Sequence, residues 1–430
     1  MKSLRWSAAP LEATPIQRKN FVNVQIDAIG IGLASAAATF LPVFLTRLGA
    51  SSFEVGLLTS MPALTGLILA IPLGRFLQSR RQIVPWFSAA RLTVVSSYAF
   101  TGLVTLLIPD LHQIRAVLLV WAAATLPQTI VAVCFSVVMN AVAGPNHRYE
   151  LMSRRWSILG ITTAVSVALV GQVLDRIAFP LNYEIAFLGL SVGGLISFYF
   201  SSHIAIPDQE VVIAAPGTSW LDRLRDYVKL IGGEPPFVRF TLKRFVYLFG
   251  FTLAVPLFPL YYVREVQASD AWIGAISTVQ SAVLLLGYFY WTRTTRLRGS
   301  RFVLMWTTLG MSVYPALVAM THRVELIAVY AGIAGIFQAG IDLVFFDELM
   351  KTVPPQYSAT FVSLAQSMQY LAAILAPILG TTIADAYGLG AGLMASAVIR
   401  LAGFALFASR GKKLRFWKYS SSAQPNANPN

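Results

Sequence analysis

Long apolar runs constrain this chain more than anything else in it. Residues 28–45, 57–73 and 371–383 carry almost no charge, and similar runs recur along all 430 residues. A bilayer's hydrocarbon core is about 30 Å thick and a helix rises about 1.5 Å per residue, so uncharged runs near 20 residues fit transmembrane helices. Gly and Pro inside such runs do not argue against helix, because neighbouring helices satisfy the freed backbone groups. The chain is 56% hydrophobic and 12% charged, whereas soluble domains are about 25% charged. Twelve spans are expected, at 21–45, 54–77, 83–107, 113–140, 156–175, 184–206, 237–263, 271–292, 302–321, 324–350, 357–382 and 389–409. The fold class is therefore all-α integral membrane, with both termini on one side.

Basic residues orient it. Of the 33 Lys and Arg, 26 fall in the termini and in the loops and helix ends on their side, 5 on the opposite side, and 2 inside spans. That bias predicts cytoplasmic termini in a multi-pass protein of the cytoplasmic (inner) membrane. It also accounts for the net charge of +14 without nucleic acid, since basic residues face anionic lipid heads. The first 20 residues carry Lys2, Arg5, Arg18 and Lys19 ahead of a long apolar helix without a small-residue cleavage site, so no removable signal peptide is read. The single cysteine, Cys134, reads as a packing residue, and no His/Cys cluster has metal-ligand spacing. No cofactor is implied. No nucleotide-binding loop is read, which argues against ATP drive.

A short phrase is said twice. Residues 42–60 read PVFLTRLGASSFEVGLLTS and residues 259–278 read PLYYVREVQASDAWIGAIST. Each runs from a proline (Pro42, Pro259) through an arginine (Arg47, Arg264) to a glycine (Gly56, Gly274). Both sit at the outer end of the first helix of a six-helix half and enter the second. A weaker echo joins 142–154 to 352–364. A duplicated six-helix unit explains both, giving an N-terminal bundle at 1–206, a linker at 207–236 and a C-terminal bundle with a disordered tail at 237–430. Inside the linker, Ser219 and Asp222 make a capping-box pattern ahead of Trp220, Leu224, Tyr227 and Ile231 at helical spacing, which predicts a short amphipathic helix. It would lie on the membrane face or on the protein's own cytoplasmic end.

Twelve spans, cytoplasmic termini, a polar middle loop and a half-chain repeat resemble the major facilitator superfamily of secondary transporters over nearly the whole length. The segment LGRFLQSRRQ keeps Gly74, Arg80 and Arg81 of the family's pattern between the second and third helices, with Gln78 in place of its aspartate. Gly74 would let helices approach, and the two arginines would hold the basic end at the interface. WAAATLPQ (121–128) shows no mid-membrane arginine, and ILGITTAVSVALVG lacks the Gly-Pro pair of drug–proton antiporters. The resemblance implies two pseudo-symmetric bundles, a monomer, and alternating access for a small organic solute, with protons as the candidate coupling ion. A lipid or amphiphile translocator, or a receptor or assembly factor on the same fold, is the alternative. No His shares a helix face with Asp or Ser, which disfavours a membrane enzyme.

Ionisable groups inside the hydrocarbon cost about 2.5–3.5 kcal/mol at mid-span and so mark function. Four stand out: Asp27 (span 1), Arg91 (span 3), Asp342 (span 10) and Arg400 (span 12). By resemblance, spans 1, 4, 7 and 10 line the central cavity. Asp27 shares a small, polar face with Asn23, Gly30 and Ala34, and Asp342 one with Gly335, Gln338 and Phe345. Two readings stand for Asp27: a cavity acid that exchanges protons, or an ion-pair partner of Arg91. For Asp342 the alternatives are the same cavity role, a hydrogen-bonded packing acid, or a partner of Arg400 or Lys243. Trp121, Thr125 and Gln128 on span 4, Gln280 on span 8, and Gln366 and Gln369 on span 11 complete an amide-bearing cavity with Tyr247, Tyr288, Phe337 and Tyr370. Arg400 reads as snorkelling or paired. Arg47 and Arg264 are a pseudo-symmetric outer pair, read as interfacial anchors or as a gate to Glu54, Glu265 or Asp270.

Overall fold

A computed structural model describes residues 13–143, 148–208, 234–352 and 358–409. Those residues form thirteen helices: α1 (Pro15–Arg47), α2 (Ser52–Gln78), α3 (Val84–Leu107), α4 (Asp110–Ala143), α5 (Arg148–Leu174), α6 (Leu181–Ser202), α7 (Pro235–Ala254), α8 (Leu257–Arg264), α9 (Asp270–Arg298), α10 (Ser300–Ala319), α11 (Val324–Thr352), α12 (Ser358–Tyr387) and α13 (Leu389–Ala408). With α7 and α8 counted as one, twelve are long and apolar enough to cross a membrane. The linker helix and the tail expected from the sequence lie outside the described residues, as does much of the weaker echo.

Helix starts are set by local chemistry. Thr14 and Gln17 form a capping box ahead of Pro15: the Gln17 amide donates to Thr14 Oγ1 at 3.3 Å, and the Thr14 amide to Gln17 Oε1 at 3.1 Å. α2 and α9 open alike, with Ser51 Oγ accepting from the Glu54 amide at 3.2 Å and Ser269 Oγ from the Trp272 amide at 3.4 Å. Several helices outrun the expected spans. α1 starts at Pro15 rather than 21, and α5 at Arg148 rather than 156. Lys, Arg and Gln propagate helix well, so helix continues past the apolar run into the basic ends. Span 7 is in fact two helices. Pro256 cannot donate an amide, and the Val255 amide turns to the Thr252 carbonyl at 3.2 Å, so the helix breaks there.

α1 packs on α5 and α6, α3 on α4 and α6, and α2 on α4. In the second half α9 packs on α11, α10 on α11 and α13, and α7 on α12 and α13. α1 and α6 touch backbone to backbone, for a Cβ on Gly30 would lie 2.5 Å from the Gly193 carbonyl oxygen and 2.8 Å from the Ser197 nitrogen. The two halves meet along α2 against α12, α5 against α9, and α1 against α8. We call the face where α1 begins and α13 ends the basic face.

Candidate functional site

The repeated phrase builds the seam between the halves on the face opposite the basic one. Arg47, ending α1, donates from Nε and Nη2 to Asp270 Oδ1 of α9 at 2.9 and 2.7 Å, and from Nη2 to the Ala268 carbonyl at 3.2 Å. Arg264, ending α8, reaches the other way, to Ser52 Oγ at 3.2 Å and to the Ala50 carbonyl. Gly56 of α2 lies against Thr381 of α12, and Gly274 of α9 against the Val167 carbonyl of α5. Ser60 donates to the Ile374 carbonyl and Thr278 to the Ala164 carbonyl, both at 3.2 Å. Arginine, glycine and hydroxyl thus recur at matching places in the two copies, and each crosses to the other half. Tyr183 adds a 2.8 Å bond to Asp270 Oδ1, and Asp175 accepts from the Ala271 amide at 3.1 Å.

Of the three acids read as partners for the outer arginines, only Asp270 serves. Glu54 caps its own helix start through Ser51, and Glu265 lies 3.8 Å from His322. The two arginines bind across the seam, not merely at the membrane surface.

Beneath this closure lies a cavity of about 240 Å³. Its wall includes Thr39 and Val43 of α1, Phe258 and Tyr262 of α8, Ile273, Ser277 and Gln280 of α9, Tyr314 of α10 and Arg400 of α13. Gln280 is ten residues from the start of α9 and Arg400 eleven from that of α13, so both lie about 15–16 Å deep, near mid-membrane. Arg400 is 1% exposed. It neither snorkels nor finds an acid; it donates to the carbonyls of Gly250, Met311 and Phe251 at 3.3, 3.1 and 3.3 Å.

About 12 Å further toward the basic face along α9, Tyr288 donates to Asp342 Oδ2 of α11 at 3.0 Å. Gln338 donates to Asp342 Oδ1 at 2.7 Å. Asp342 is exposed, on the side of α11 opposite the exposed Val329 and Ile333 and one turn before the exposed Phe346. It sits ten residues from the end of α11, which outruns the expected span end at 350. Gln366 is likewise exposed on the side of α12 opposite Leu375, one turn below Tyr370, which lies against Gly66 of the other half. Gln128 lies opposite Leu119, Leu126 and Val137 on α4. Gln369 accepts from Arg244 Nη2 at 3.1 Å. Asp342, Gln366 and Gln128 thus lie on helix sides opposite these apolar residues, with Gln338 and Gln369 bonded beside them.

Asp27 is placed otherwise. It is 0% exposed, held inside the first half between Arg91 Nη1 of α3 and Ser197 Oγ of α6, the latter at 2.6 Å, with Arg155 Nη2 of α5 at 3.6 Å. The ion-pair reading is the one realised: α1 turns its polar face inward because the Gly30–Gly193 approach brings α6 against it. Trp121 is also internal, donating to Thr101 Oγ1 at 3.1 Å and meeting the Tyr98 ring at 4.7 Å. Tyr247 and Phe337 pack within the second half instead of lining the cavity. Near the basic end, Arg80 lies 4.4 Å from the Phe76 ring and Arg81 is 4.0 Å from Asp208, while Gly74 belongs to α2. Sequence reasoning missed Arg155 and Arg244, both counted with the basic ends. Both are arginines at helical spacing from apolar residues, and that was the available signal.

Closure on one face and a mid-membrane cavity at the seam of two six-helix bundles fit the architecture of a secondary transporter. Residues 240–422 match the family model of the Major Facilitator Superfamily. A crystal structure of the nucleoside transporter NupG is 12% identical, covering 91% of this chain and 99% of its own, with a TM-score of 0.71. An inward-facing bacterial homologue of the iron transporter ferroportin is 14% identical, covering 91% and 98%, at 0.69. A bacterial homologue of the human lysosomal transporter Spinster, inward-facing and unoccupied, is 14% identical, covering 92% and 97%, at 0.65. No curated protein matches the sequence. Residues 240–422 are thus similar to the Major Facilitator Superfamily by sequence, and the whole chain shares the fold of these transporter structures.

Proposed function

We propose that this protein carries a small organic solute across the cytoplasmic membrane by alternating access, as a monomer with its basic face in the cytoplasm. The observation that carries the reading is the cavity at the seam, closed on one face by arginines that cross it in both directions. Relatives of this fold place their sites at the interface of the repeats near the midplane. The basic bias supports the orientation. The two bundles, split at the 207–236 linker, are the bodies that rock. A cleft leading from the basic face to this cavity is the solute's route; Asp342, its acid, is the coupling group, and Gln338, Gln280, Gln366, Gln369 and Gln128 contact solute along it. Asp27, Arg91, Gly74, Arg80 and Arg81 hold the first bundle and its basic end together.

The test places a single cysteine at Thr39 (Thr39→Cys with Cys134→Ala) and measures labelling by an impermeant maleimide from the face opposite the basic one. Asp270→Asn is expected to raise labelling several-fold. In proteoliposomes, solutes that raise the melting temperature are expected to be taken up. Unchanged labelling with no uptake of any stabilising solute would reject the proposal.

A further inference from the structure

We propose that the seam cavity is a binding site for small organic monocarboxylates, with Arg400 as the group that takes the carboxylate. The inference rests on the transport reading and deepens it by naming the substrate class.

Arg400 carries the only formal charge in the cavity wall among the described residues. A guanidinium has five N–H donors, and three hydrogen bonds are described for this one, all to backbone carbonyls. Among the described residues, two N–H groups are thus left over. The carbonyls orient the fork without neutralising it. One of them is available because of the break in span 7, as Phe251 loses the Val255 amide to Thr252, while Gly250 also accepts from Ser396 at 2.7 Å. The broken end of α7 places partial negative charge beside the guanidinium, which lets the cation persist at mid-membrane without an acid. That leaves a net positive charge for a solute to meet.

Charge and screening decide the class. At 1% exposure, water hardly reaches Arg400, and attraction between unit charges grows steeply as the effective dielectric falls. A buried cation lacking a full counter-charge is costly, so an anion that supplies one gains more than a neutral isostere. Arg400 presents the planar fork that pairs with carboxylate. The remaining wall fixes the rest of the ligand. Val43, Phe251, Phe258, Ile273 and Met311 suit an apolar body. At about 240 Å³ the space is below the roughly 300–1,000 Å³ of sites for drug-sized ligands. Gln280, Ser277 and Tyr314 can give further hydrogen bonds to a carboxylate oxygen, while no acidic side chain in the wall would hold an ammonium group.

Three probes of one shape separate charge from fit: benzoate, benzamide and benzylamine, titrated against the purified full-length protein. The expected result is benzoate bound about tenfold or more tighter than benzamide, the low end for a hydrogen bond to a charged group, with benzylamine weakest. Arg400→Gln should bring the benzoate and benzamide affinities together while leaving benzamide binding little changed. Arg400→Lys should keep part of the preference. Gln280→Glu leaves Arg400 untouched, and so reads the site even where Arg400→Gln fails to fold. It should weaken benzoate and strengthen benzylamine. Equal benzoate and benzamide affinities in the unaltered protein, or a benzoate preference that survives Arg400→Gln, overturns the inference. Uptake into proteoliposomes is scored separately. Uptake of solutes without charge preference leaves transport standing and sinks this site; charge-selective binding without uptake supports the site and sinks the transport reading.

Discussion

Asp27 and Asp342 show how one side-chain type takes two roles when packing decides its surroundings. Asp27 is closed in by two guanidiniums and a hydroxyl, and one of its oxygens and the Nε atoms of Arg91 and Arg155 have no hydrogen-bond partner. A charged cluster buried this way tolerates no truncation on one side, because the partner is then left alone in low dielectric. Asp27→Asn is expected to cost about 3–5 kcal/mol, read as a large fall in melting temperature in detergent and low yield from membranes. Asp342 instead has neutral donors, Tyr288 and Gln338, and is exposed. Asp342→Asn should leave the melting temperature nearly unchanged. Under the proposed coupling it should abolish the response of solute flux to an imposed pH gradient; a full response in that variant would move the coupling group elsewhere.

Helix faces explain what the sequence disclosed and what it hid. Apolar runs and basic asymmetry were enough to read twelve spans, because lipid imposes length and composition on each helix separately. The echo at Arg47 and Arg264 was legible too, since both copies solve one contact problem. Which face of a helix meets the cleft was not legible for α1 or α4. Asp27 and Trp121 sit on polar faces that could equally have lined water, and only the neighbours α3, α5 and α6 decide. The break at Pro256 escaped notice for the same reason, as membrane helices often carry proline unbroken; α4 does so at Pro127. At this scale, Gly30→Leu is expected to separate α1 from α6, since no rotamer avoids the Gly193 backbone. The measurement is the melting temperature, expected to fall by more than for Gly189→Leu, where no atom lies within 4 Å of the added Cβ.

Across the whole molecule, the halves are joined by contacts at equivalent places on two interfaces, so rocking must release α2 from α12 and α5 from α9 together. Arg47→Ala and Arg264→Ala should each increase Thr39→Cys labelling, and the double variant should exceed the sum of the two increases. Simple additivity would mean that the arginines do not act on one closure. The reciprocity has a consequence for membrane energetics. A door with one bolt comes ajar whenever that bolt rattles loose, whereas two bolts anchored on opposite leaves must be withdrawn at the same instant. Under the proposed function, stray ion leakage through the resting protein then scales with the product of two small probabilities, and the electrical gradient across the membrane is spared between cycles.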